Sequence, residues 1–350
     1  MQAAVYKGEG RVVVESVPTP RIGAGEMLVR VESCGICHTD LKKIEYNLLP
    51  PPRVYGHETA GVVVQTGANV TRYQPGDRVV VFHHIPCGRC FYCERRLYAQ
   101  CPVYKKVGVT SAFEPAGGGF SQYVRVMDWI VERGVEKIPD GVSFDQACWV
   151  EPVNTCLKAI EVLMVRRGDV VAILGQGPIG LIFTMLVKGI GAGVFASDAI
   201  GLRRDLSTRS GADAFDPQSP DFEQSIRKAT DGRGADAVIL ATSVKGLVEQ
   251  GLRISRPGAK ILLFAQTSAN DRIEFSGADV CVGERMLLGS YSADIDLQAE
   301  SARLVFSGDL PVEELISDRI PLSEINRGIA IAQRPAGRSL KVVVHPQELN

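Results

Sequence analysis

The sequence predicts an α/β protein that combines a doubly wound parallel β-sheet with a β-barrel-like domain. Residues 1–150 contain short β-forming runs punctuated by Gly and Pro, a pattern typical of an irregular barrel-like domain. Residues 151–290 alternate apolar strands with helix-length segments, which predicts parallel strands joined by right-handed crossovers. Residues 291–350 add helical segments and a last strand, and we treat them as a separate C-terminal segment.

Each element follows from a local pattern. In the first domain, β-forming runs predict strands at 3–6, 11–17, 27–32, 60–66, 78–81 and 120–126. In the second domain, apolar runs predict strands at 170–174, 194–197, 237–241 and 260–264, separated by helices at 178–190, 202–210 and 247–254. The C-terminal segment is predicted to form helices at 297–306 and 322–332 and a strand at 340–344.

The composition argues against several classes of function. The chain has 350 residues and a formal net charge of -1, so no strong field of one sign favours nucleic acid or an anionic membrane as a partner. Its apolar runs are strand-sized and too short to cross a bilayer, and its first residues lack the pattern of a secretory signal. We therefore expect a cytoplasmic protein with a small-molecule partner.

A Gly-rich turn follows the predicted strand at 170–174. It reads Gly175-Gln-Gly177-Pro178-Ile179-Gly180, and it opens the predicted helix at 178–190. The glycines of a G-x-G-x-x-G turn allow a tight bend and let the backbone approach a pyrophosphate closely. The N-terminus of the helix that follows attracts the negative charge of the pyrophosphate. Such turns are common in isolation, but Asp198 ends the next strand, where an acidic residue binds the ribose hydroxyls of NAD. The alternative is that Asp198 is an ordinary cap.

Two arginines bear on the choice between NAD and NADP. Arg203 and Arg204 could neutralise the additional phosphate of NADP, whereas Asp198 would repel it. We therefore favour NAD. One of the two, Arg203, is a candidate for contact with the adenosine end, and the alternative is that both lie on a solvated helix face.

The chain has nine cysteines, and an odd number without an export signal does not predict a disulfide framework. Cys87, Cys90, Cys93 and Cys101 lie within fifteen residues, which predicts a closed tetrahedral zinc site in a lobe at about 84–104. The alternative is an iron–sulfur cluster. In ferredoxin sequences, however, three residues separate the third cysteine from the fourth, whereas seven residues separate Cys93 from Cys101 here.

A second set of possible metal ligands is scattered along the sequence. Cys37 follows a predicted strand, His57 and Glu58 precede another, and Glu151 lies where the domains change. No short spacing links these residues. Taken one at a time, these residues are better explained as a buried thiol, a core histidine and a helix-capping glutamate.

Together, the motifs resemble the medium-chain zinc alcohol dehydrogenase family along nearly the whole chain. The matching segments are CGICHTD (34–40), GHETAGVV (56–63), PGDRV (75–79), the four-cysteine lobe, GGGFSQYV (117–124), Glu-Pro (151–152), GQGPIG (175–180) and GSYS (289–292). The Glu-Pro pair and the HIP tripeptide (84–86) look most like the sorbitol and threonine dehydrogenase branch.

The resemblance implies a GroES-like catalytic domain, a Rossmann domain, and an active site in the cleft between them. By the same resemblance, Cys37 and His57 bind a catalytic zinc together with Glu151 or Glu58, and Asp40 orients His57. The C-terminal segment is expected to return to the catalytic domain.

Other roles are carried over from the same resemblance. Thr39 would pass the alcohol proton outward, and His38 would lie near the cofactor pyrophosphate. Lys42 departs from the pattern, because part of the family has a histidine at this end of the proton relay. Cys34 and Cys37 form a C-x-x-C, which is either a redox pair or, in our interpretation, a spare buried thiol beside a ligand.

The expected function is hydride transfer from a secondary alcohol, with a polyol or reduced sugar favoured, to NAD, with two zinc ions per chain. A hydroxy amino acid such as L-threonine is the alternative substrate. A non-catalytic member of the same fold is the alternative from another class, but it predicts loss of zinc ligands that are all present here. We expect a homodimer or homotetramer.

Overall fold

Three β-sheets organise the chain in the computed structural model, which describes residues 1–83, 85–106, 118–265, 272–335 and 337–348. The strands of these residues are β1 (Gln2–Tyr6), β2 (Val12–Ser16), β3 (Met27–Gly35), β4 (Arg53–Val54), β5 (Glu58–Thr66), β6 (Arg78–Val81), β7 (Tyr123–Val126), β8 (Val135–Lys137), β9 (Val170–Leu174), β10 (Gly193–Ser197), β11 (Asp213–Phe215), β12 (Ala235–Leu240), β13 (Ser255–Leu263), β14 (Met286–Gly289), β15 (Ile316–Pro321) and β16 (Lys341–His345).

Helices connect the strands. They are α1 (His38–Glu45), α2 (Pro102–Lys106), α3 (Asp128–Arg133), α4 (Phe144–Ala147), α5 (Val150–Leu163), α6 (Pro178–Ile190), α7 (Gly201–Arg209), α8 (Asp221–Ala229), α9 (Leu247–Ile254), α10 (Gly277–Cys281), α11 (Gln298–Phe306) and α12 (Ile325–Gln333). Among the described residues, no helix has the length and apolar character needed to span a membrane. The chain divides into a first unit, residues 1–154 and 293–350, and a second unit, residues 155–292.

The main sheet of the first unit has the order β15-β16-β3-β5-β6-β8, and β7 also pairs with β3. Strand β5 is antiparallel to both of its neighbours, with Gly35 opposite Glu58 and Val81 opposite Thr59. The end of β3, the start of β5 and the end of β6 therefore lie at the same end of the sheet, where the strands begin and finish. The segments that carry Cys37, His57 and the residues after Val81 leave the sheet at this end.

The C-terminal segment completes this sheet. Strand β16 pairs antiparallel with β3, with Val344 opposite Cys34, and β15 pairs parallel with β16. Strands β2, β1 and β4 form a separate small sheet in the same unit. Apolar side chains from both sheets, among them Val5, Val31 and Val63, form the buried core between them.

The second unit is a six-stranded sheet of order β11-β10-β9-β12-β13-β14, and all of its pairings are parallel. This confirms the predicted α/β class with a doubly wound parallel sheet. The chain order runs outward in opposite directions from β9, so a crevice opens at the carboxyl ends of β9 and β12, where ligands bind in folds of this type. Strand β9 and helix α6 have the predicted bounds.

Candidate metal and dinucleotide sites

A buried hydrogen bond fixes the ring of His57. Asp40 lies in the first turn of α1, has no solvent exposure, and accepts from His57 Nδ1 at 3.0 Å. The backbone N–H groups of Cys37 and Gly56 also donate to this carboxylate, at 3.4 and 3.5 Å. With Nδ1 engaged, Nε2 is the nitrogen left to bind a metal.

The electrostatics of this pair are mutual. Burial opposes ionisation of Asp40, but the charge and hydrogen bond of His57 outweigh it and lower the pKa of Asp40. Burial likewise opposes a charged His57, and the Asp40 carboxylate nevertheless raises the pKa of His57 well above its ordinary value. The carboxylate therefore makes the imidazole a more basic ligand.

Cys37, His57 and Glu58 form one set of possible ligands, with all ligand atoms within 4.8 Å of one another. Glu58 is buried and forms an ion pair with Lys341 of β16, itself 6% exposed. The Lys341 ammonium also lies 5.4 Å from the ring centre of Trp149. Although burial lowers it, the charge of Glu58 raises the pKa of Lys341 above its ordinary value.

A second set shares His57. Its other members are His83 and Glu151, again with all ligand atoms within 4.8 Å. Glu151 is in the first turn of α5 and is 7% exposed. Burial raises the pKa of Glu151 to about 7, partly opposed by His57. His83 was not among the ligands predicted from the sequence. Its position two residues after β6 and before the cysteine lobe is the signal that could have indicated it.

The donors of both sets fit a zinc ion. Thiolate, imidazole and carboxylate are the ligands of catalytic zinc sites, which use three protein ligands and leave a position open. Burying these charged groups without an ion would carry a large desolvation cost. The geometry thus brings together the predicted residues Cys37, His57, Glu58 and Glu151, although more than twenty residues separate several of them. Both glutamates lie within reach of His57.

The four lobe cysteines form a separate cluster. Their sulfur atoms lie within 4.8 Å of one another, with Sγ–Sγ distances of 3.5 Å for Cys90–Cys93 and 3.9 Å for Cys87–Cys93. Four sulfurs at about 2.3 Å from a tetrahedral ion are about 3.8 Å apart, so the spacing fits zinc. All nine cysteines are free of disulfide bonds, as expected. Although burial opposes it, backbone N–H groups around Cys101 lower the pKa of its thiol to about 6.

The lobe is attached to the C-terminal segment. Tyr98 donates its hydroxyl to Asp296 at 2.9 Å, and the Arg96 guanidinium lies 3.0 Å from the same carboxylate. His84 and residues 107–117, which include the first residue of GGGFSQYV (117–124), lie outside the described residues.

The Gly-rich turn has the geometry of an anion site. Gly175 has a φ of +97°, and a Cβ at Gly180 would overlap the carbonyl oxygen of Gly175, so both positions require glycine. Gly177 is the N-cap of α6 and Pro178 its first residue, which leaves the backbone N–H groups of the helix N-terminus available to a phosphate.

Asp198 organises the strand end beside this turn. Its carboxylate accepts from the backbone N–H groups of Gln176 at 2.7 Å and Ile200 at 2.9 Å. Arg203 approaches the same carboxylate at 3.7 Å, on the side of Gly177. Arg204 instead donates to the Asp198 carbonyl oxygen and to Asp216, so its charge is already engaged on the protein.

A cavity of about 470 Å³ lies at the carboxyl ends of β12 and β13 in the second unit. It is lined by Leu240, Thr242, Leu247, Leu263, Ala265 and Ile273, among others. Thr242 also packs beside Gly175, since a Cβ there would lie 3.0 Å from the Thr242 side chain. The cavity therefore adjoins the Gly-rich turn and has the place and size of a cofactor pocket.

His38 and Thr39 lie in the first turn of α1, with His38 exposed and Thr39 partly buried. Their predicted roles toward pyrophosphate and proton remain predictions. Cys34 is fully buried and its sulfur contacts Thr59 at 3.7 Å.

Comparisons with known proteins show the family of the chain. Residues 23–140 match the family model for the alcohol dehydrogenase GroES-like domain, and residues 178–306 match the zinc-binding dehydrogenase model. Sorbitol dehydrogenase of Bacillus subtilis is 27% identical over 99% of this chain and 97% of its own. L-threonine 3-dehydrogenase of Pyrococcus horikoshii is 32% identical over 77% of this chain and 76% of its own.

Among solved structures, a zinc-binding dehydrogenase of Sinorhizobium meliloti 1021 bound to NADP has a TM-score of 0.89. It is 30% identical to this chain, and the match covers 99% of both chains.

Proposed function

Because the chain belongs to the zinc-dependent alcohol dehydrogenase family, we propose that it oxidises a secondary alcohol and transfers the hydride to NAD. The observation that carries the proposal is the buried set of Cys37, His57 and Glu58, with Asp40 orienting the imidazole. A non-catalytic relative has no need of these costly buried groups.

Each group has a proposed task. Cys37 and His57 would hold the zinc, which would supply a Lewis acid toward the substrate hydroxyl, and bound NAD would supply the hydride acceptor. Asp40 holds the imidazole in one orientation and tautomer. Thr39 accepts and passes on the proton by hydrogen bonding, and Lys42 lies one turn further along α1, on the same side of the helix.

The NAD proposal rests on Asp198. Its carboxylate lies beside the Gly-rich turn and would repel the additional phosphate of NADP. Arg203 is the competing influence, because its guanidinium reaches this carboxylate and faces Gly177. The Sinorhizobium meliloti relative is bound to NADP, which makes NADP the alternative cofactor.

For the substrate, we propose a polyol or reduced sugar. Glu151 places a carboxylate beside His57, and a carboxylate is a harder ligand than a second thiolate, which suits a metal that also takes oxygen donors. A vicinal diol could offer two such oxygens. The similarity to a sorbitol dehydrogenase supports this choice, and the similarity to an L-threonine 3-dehydrogenase makes a hydroxy amino acid the alternative.

The test is a screen of NAD reduction over polyols, reduced sugars, L-threonine and primary alcohols, compared by kcat/KM. We expect a polyol to give the highest value. A higher value for a primary monoalcohol would refute the diol argument, and a higher value for L-threonine would change the substrate class. Cys37→Ala, which keeps the Gly-rich turn intact, is the matched control and should bind NAD without oxidising any of them.

We also propose a cytoplasmic homo-oligomer, a homodimer or homotetramer. Nine cysteines without a disulfide bond suit a reducing compartment. Strand β14 ends the parallel sheet, and Met286 on it and Val282 before it are 44% and 82% exposed. An edge strand with exposed apolar side chains supports pairing with a second chain. Light scattering measures the oligomeric state.

A further inference from the structure

His83 lies beside His57 just beyond the last pair of the β5–β6 ladder. Thr59 is opposite Val81 in an antiparallel register, so two steps further place His57 opposite His83, on the same face. The two ring centres are 4.8 Å apart. The backbone N–H of Phe82 donates to the Gly134 carbonyl oxygen at 2.7 Å, which fixes the chain just before His83.

The site therefore contains two imidazoles and a carboxylate in mutual reach. His83, His57 and Glu151 are 3%, 5% and 7% exposed, and their ligand atoms all lie within 4.8 Å. Ligand atoms around a tetrahedral ion with bonds of about 2.1 Å are about 3.4 Å apart, so small side-chain movements complete such a site. Two histidines and a carboxylate form a recognised donor set for divalent transition metals.

The two sets cannot hold two ions. His57 belongs to both, and Asp40 engages its Nδ1, so a single nitrogen lone pair is available to a metal. One ion must therefore be shared between the ligands on the Cys37 side and those on the His83 side.

We propose that His83 is a ligand of the ion that His57 binds, and that His57, His83 and Glu151 can hold this ion without Cys37. The inference rests on the proposed function in taking His57 as a metal ligand. It adds a nitrogen donor to the site, and it means that the ion can leave Cys37 and Glu58 without leaving the protein. The alternative is that His83 packs against His57 and Phe82, whose ring centre is 6.0 Å away, and binds no metal.

The experiment measures bound zinc, with the lobe ion as an internal reference. Wild type, Cys37→Ser, His83→Phe and the double variant are purified and desalted, and zinc per chain is measured by elemental analysis. Zinc affinity is measured by competition with a chromogenic chelator. His83→Phe keeps an aromatic ring for packing, and His83→Cys replaces the imidazole by another ligand. His345→Gln, which changes a histidine outside the site, is the control.

We expect two zinc ions in wild type and in Cys37→Ser, and one in the double variant. His83→Phe should lower the zinc affinity of the His57 site at least about tenfold, a loss in the range seen even for groups that only support ligands. His83→Cys should recover part of the lost zinc affinity. One zinc in Cys37→Ser, equal zinc in Cys37→Ser with and without His83→Phe, or wild-type affinity in His83→Phe would each overturn the proposal.

A substitute variant and a separate activity assay distinguish the possible outcomes. If His83→Phe loses the lobe zinc or its cooperative unfolding, His83→Asn is measured in its place, under the same criteria. Alcohol-dependent NAD reduction by wild type tests the proposed function separately. Activity in wild type together with His83-independent zinc would refute only the role of His83, whereas absence of activity on every alcohol class would refute the proposed function.

Discussion

Lys341, on the strand that returns from the C-terminal segment, forms a buried ion pair with Glu58, the residue directly after His57. Lys341→Met should leave a buried carboxylate without its counter-charge. We expect this to lower the free energy of unfolding by about 3–5 kcal/mol, measured by urea unfolding. Lys341→Arg keeps the positive charge, so it should lower the free energy of unfolding by less than half as much. A Lys341→Met variant within about 1 kcal/mol of wild type would mean that Glu58 is neutralised by other groups.

The two glutamates near His57 should differ in their effects. Glu151→Ala should strongly lower kcat/KM while NAD binding and the lobe zinc remain, because Glu151 is predicted to be a ligand of the catalytic zinc. Glu58→Gln also removes the partner of Lys341 and should therefore destabilise the fold as well as lower activity. Activity assays, NAD titration and thermal unfolding separate these effects. Near-normal activity in Glu151→Ala would leave Glu58 or His83 as the third ligand beside Cys37 and His57.

The cysteine lobe should contain zinc and contribute to folding. Elemental analysis is expected to give two zinc ions per chain and no iron. Cys93→Ser should remove one zinc and cause unfolding or loss of the oligomer, because a structural metal site contributes its binding free energy to folding. Cys281→Ser, at an exposed position, is the control and should keep both ions. Iron together with inorganic sulfide in the purified protein would contradict the zinc assignment.

Cofactor preference should depend on the carboxylate of Asp198. Asp198→Gly is expected to reduce the preference for NAD over NADP, measured as the ratio of kcat/KM values, because it removes the charge that opposes the phosphate. Arg203→Ala should change the ratio in the opposite direction if this guanidinium, 3.7 Å from Asp198, contributes to phosphate binding. A wild-type preference for NADP would show that Arg203 outweighs Asp198.

Local signals explain what the sequence could predict. The apolar run of β9 and the Gly-Pro boundary of α6 are adjacent in sequence, and both elements have the predicted bounds. The lobe cysteines were predicted as a cluster because their spacing is short. Helix α5 was missed: Pro152 near its start indicated a break between domains, although proline is tolerated in a first helical turn.

Long-range signals were less accessible. The spacing of Cys37, His57 and Glu151 does not reveal a common site; only the resemblance to a family joined them. His83 could not be predicted, because its place depends on the register between β5 and β6 and on the chain direction after Val81. The same holds for Lys341, which reaches Glu58 only because β16 pairs with β3.

A buried carboxylate should make the stability of the first unit depend on pH. Asp145 accepts from Ser33 at 2.6 Å, from Arg319 at 2.5 Å and from His345 at 2.8 Å. These hydrogen bonds outweigh burial and hold the pKa of Asp145 well below its ordinary value. The hydrogen bond to Asp145, together with the nearby Glu348, raises the pKa of His345. Strands β3, β15 and β16 are thus tied to α4 through one charge.

The sign of the pH dependence follows from these two shifts. A lowered carboxyl pKa stabilises the fold above the unfolded value of about 4, and this contribution is lost as the pH falls. A raised histidine pKa stabilises the fold below about pH 6.5, and this contribution is lost as the pH rises through the pKa of the folded state.

Asp145→Asn should therefore lower the free energy of unfolding most between about pH 5 and 6.5, by on the order of 2 kcal/mol given the partly exposed partners. The cost, measured by urea unfolding at several pH values, should shrink on both sides. His345→Gln should remove only the decline at high pH, because Arg319 and Ser33 remain. A cost of Asp145→Asn that is constant from pH 3 to 9 would contradict this account.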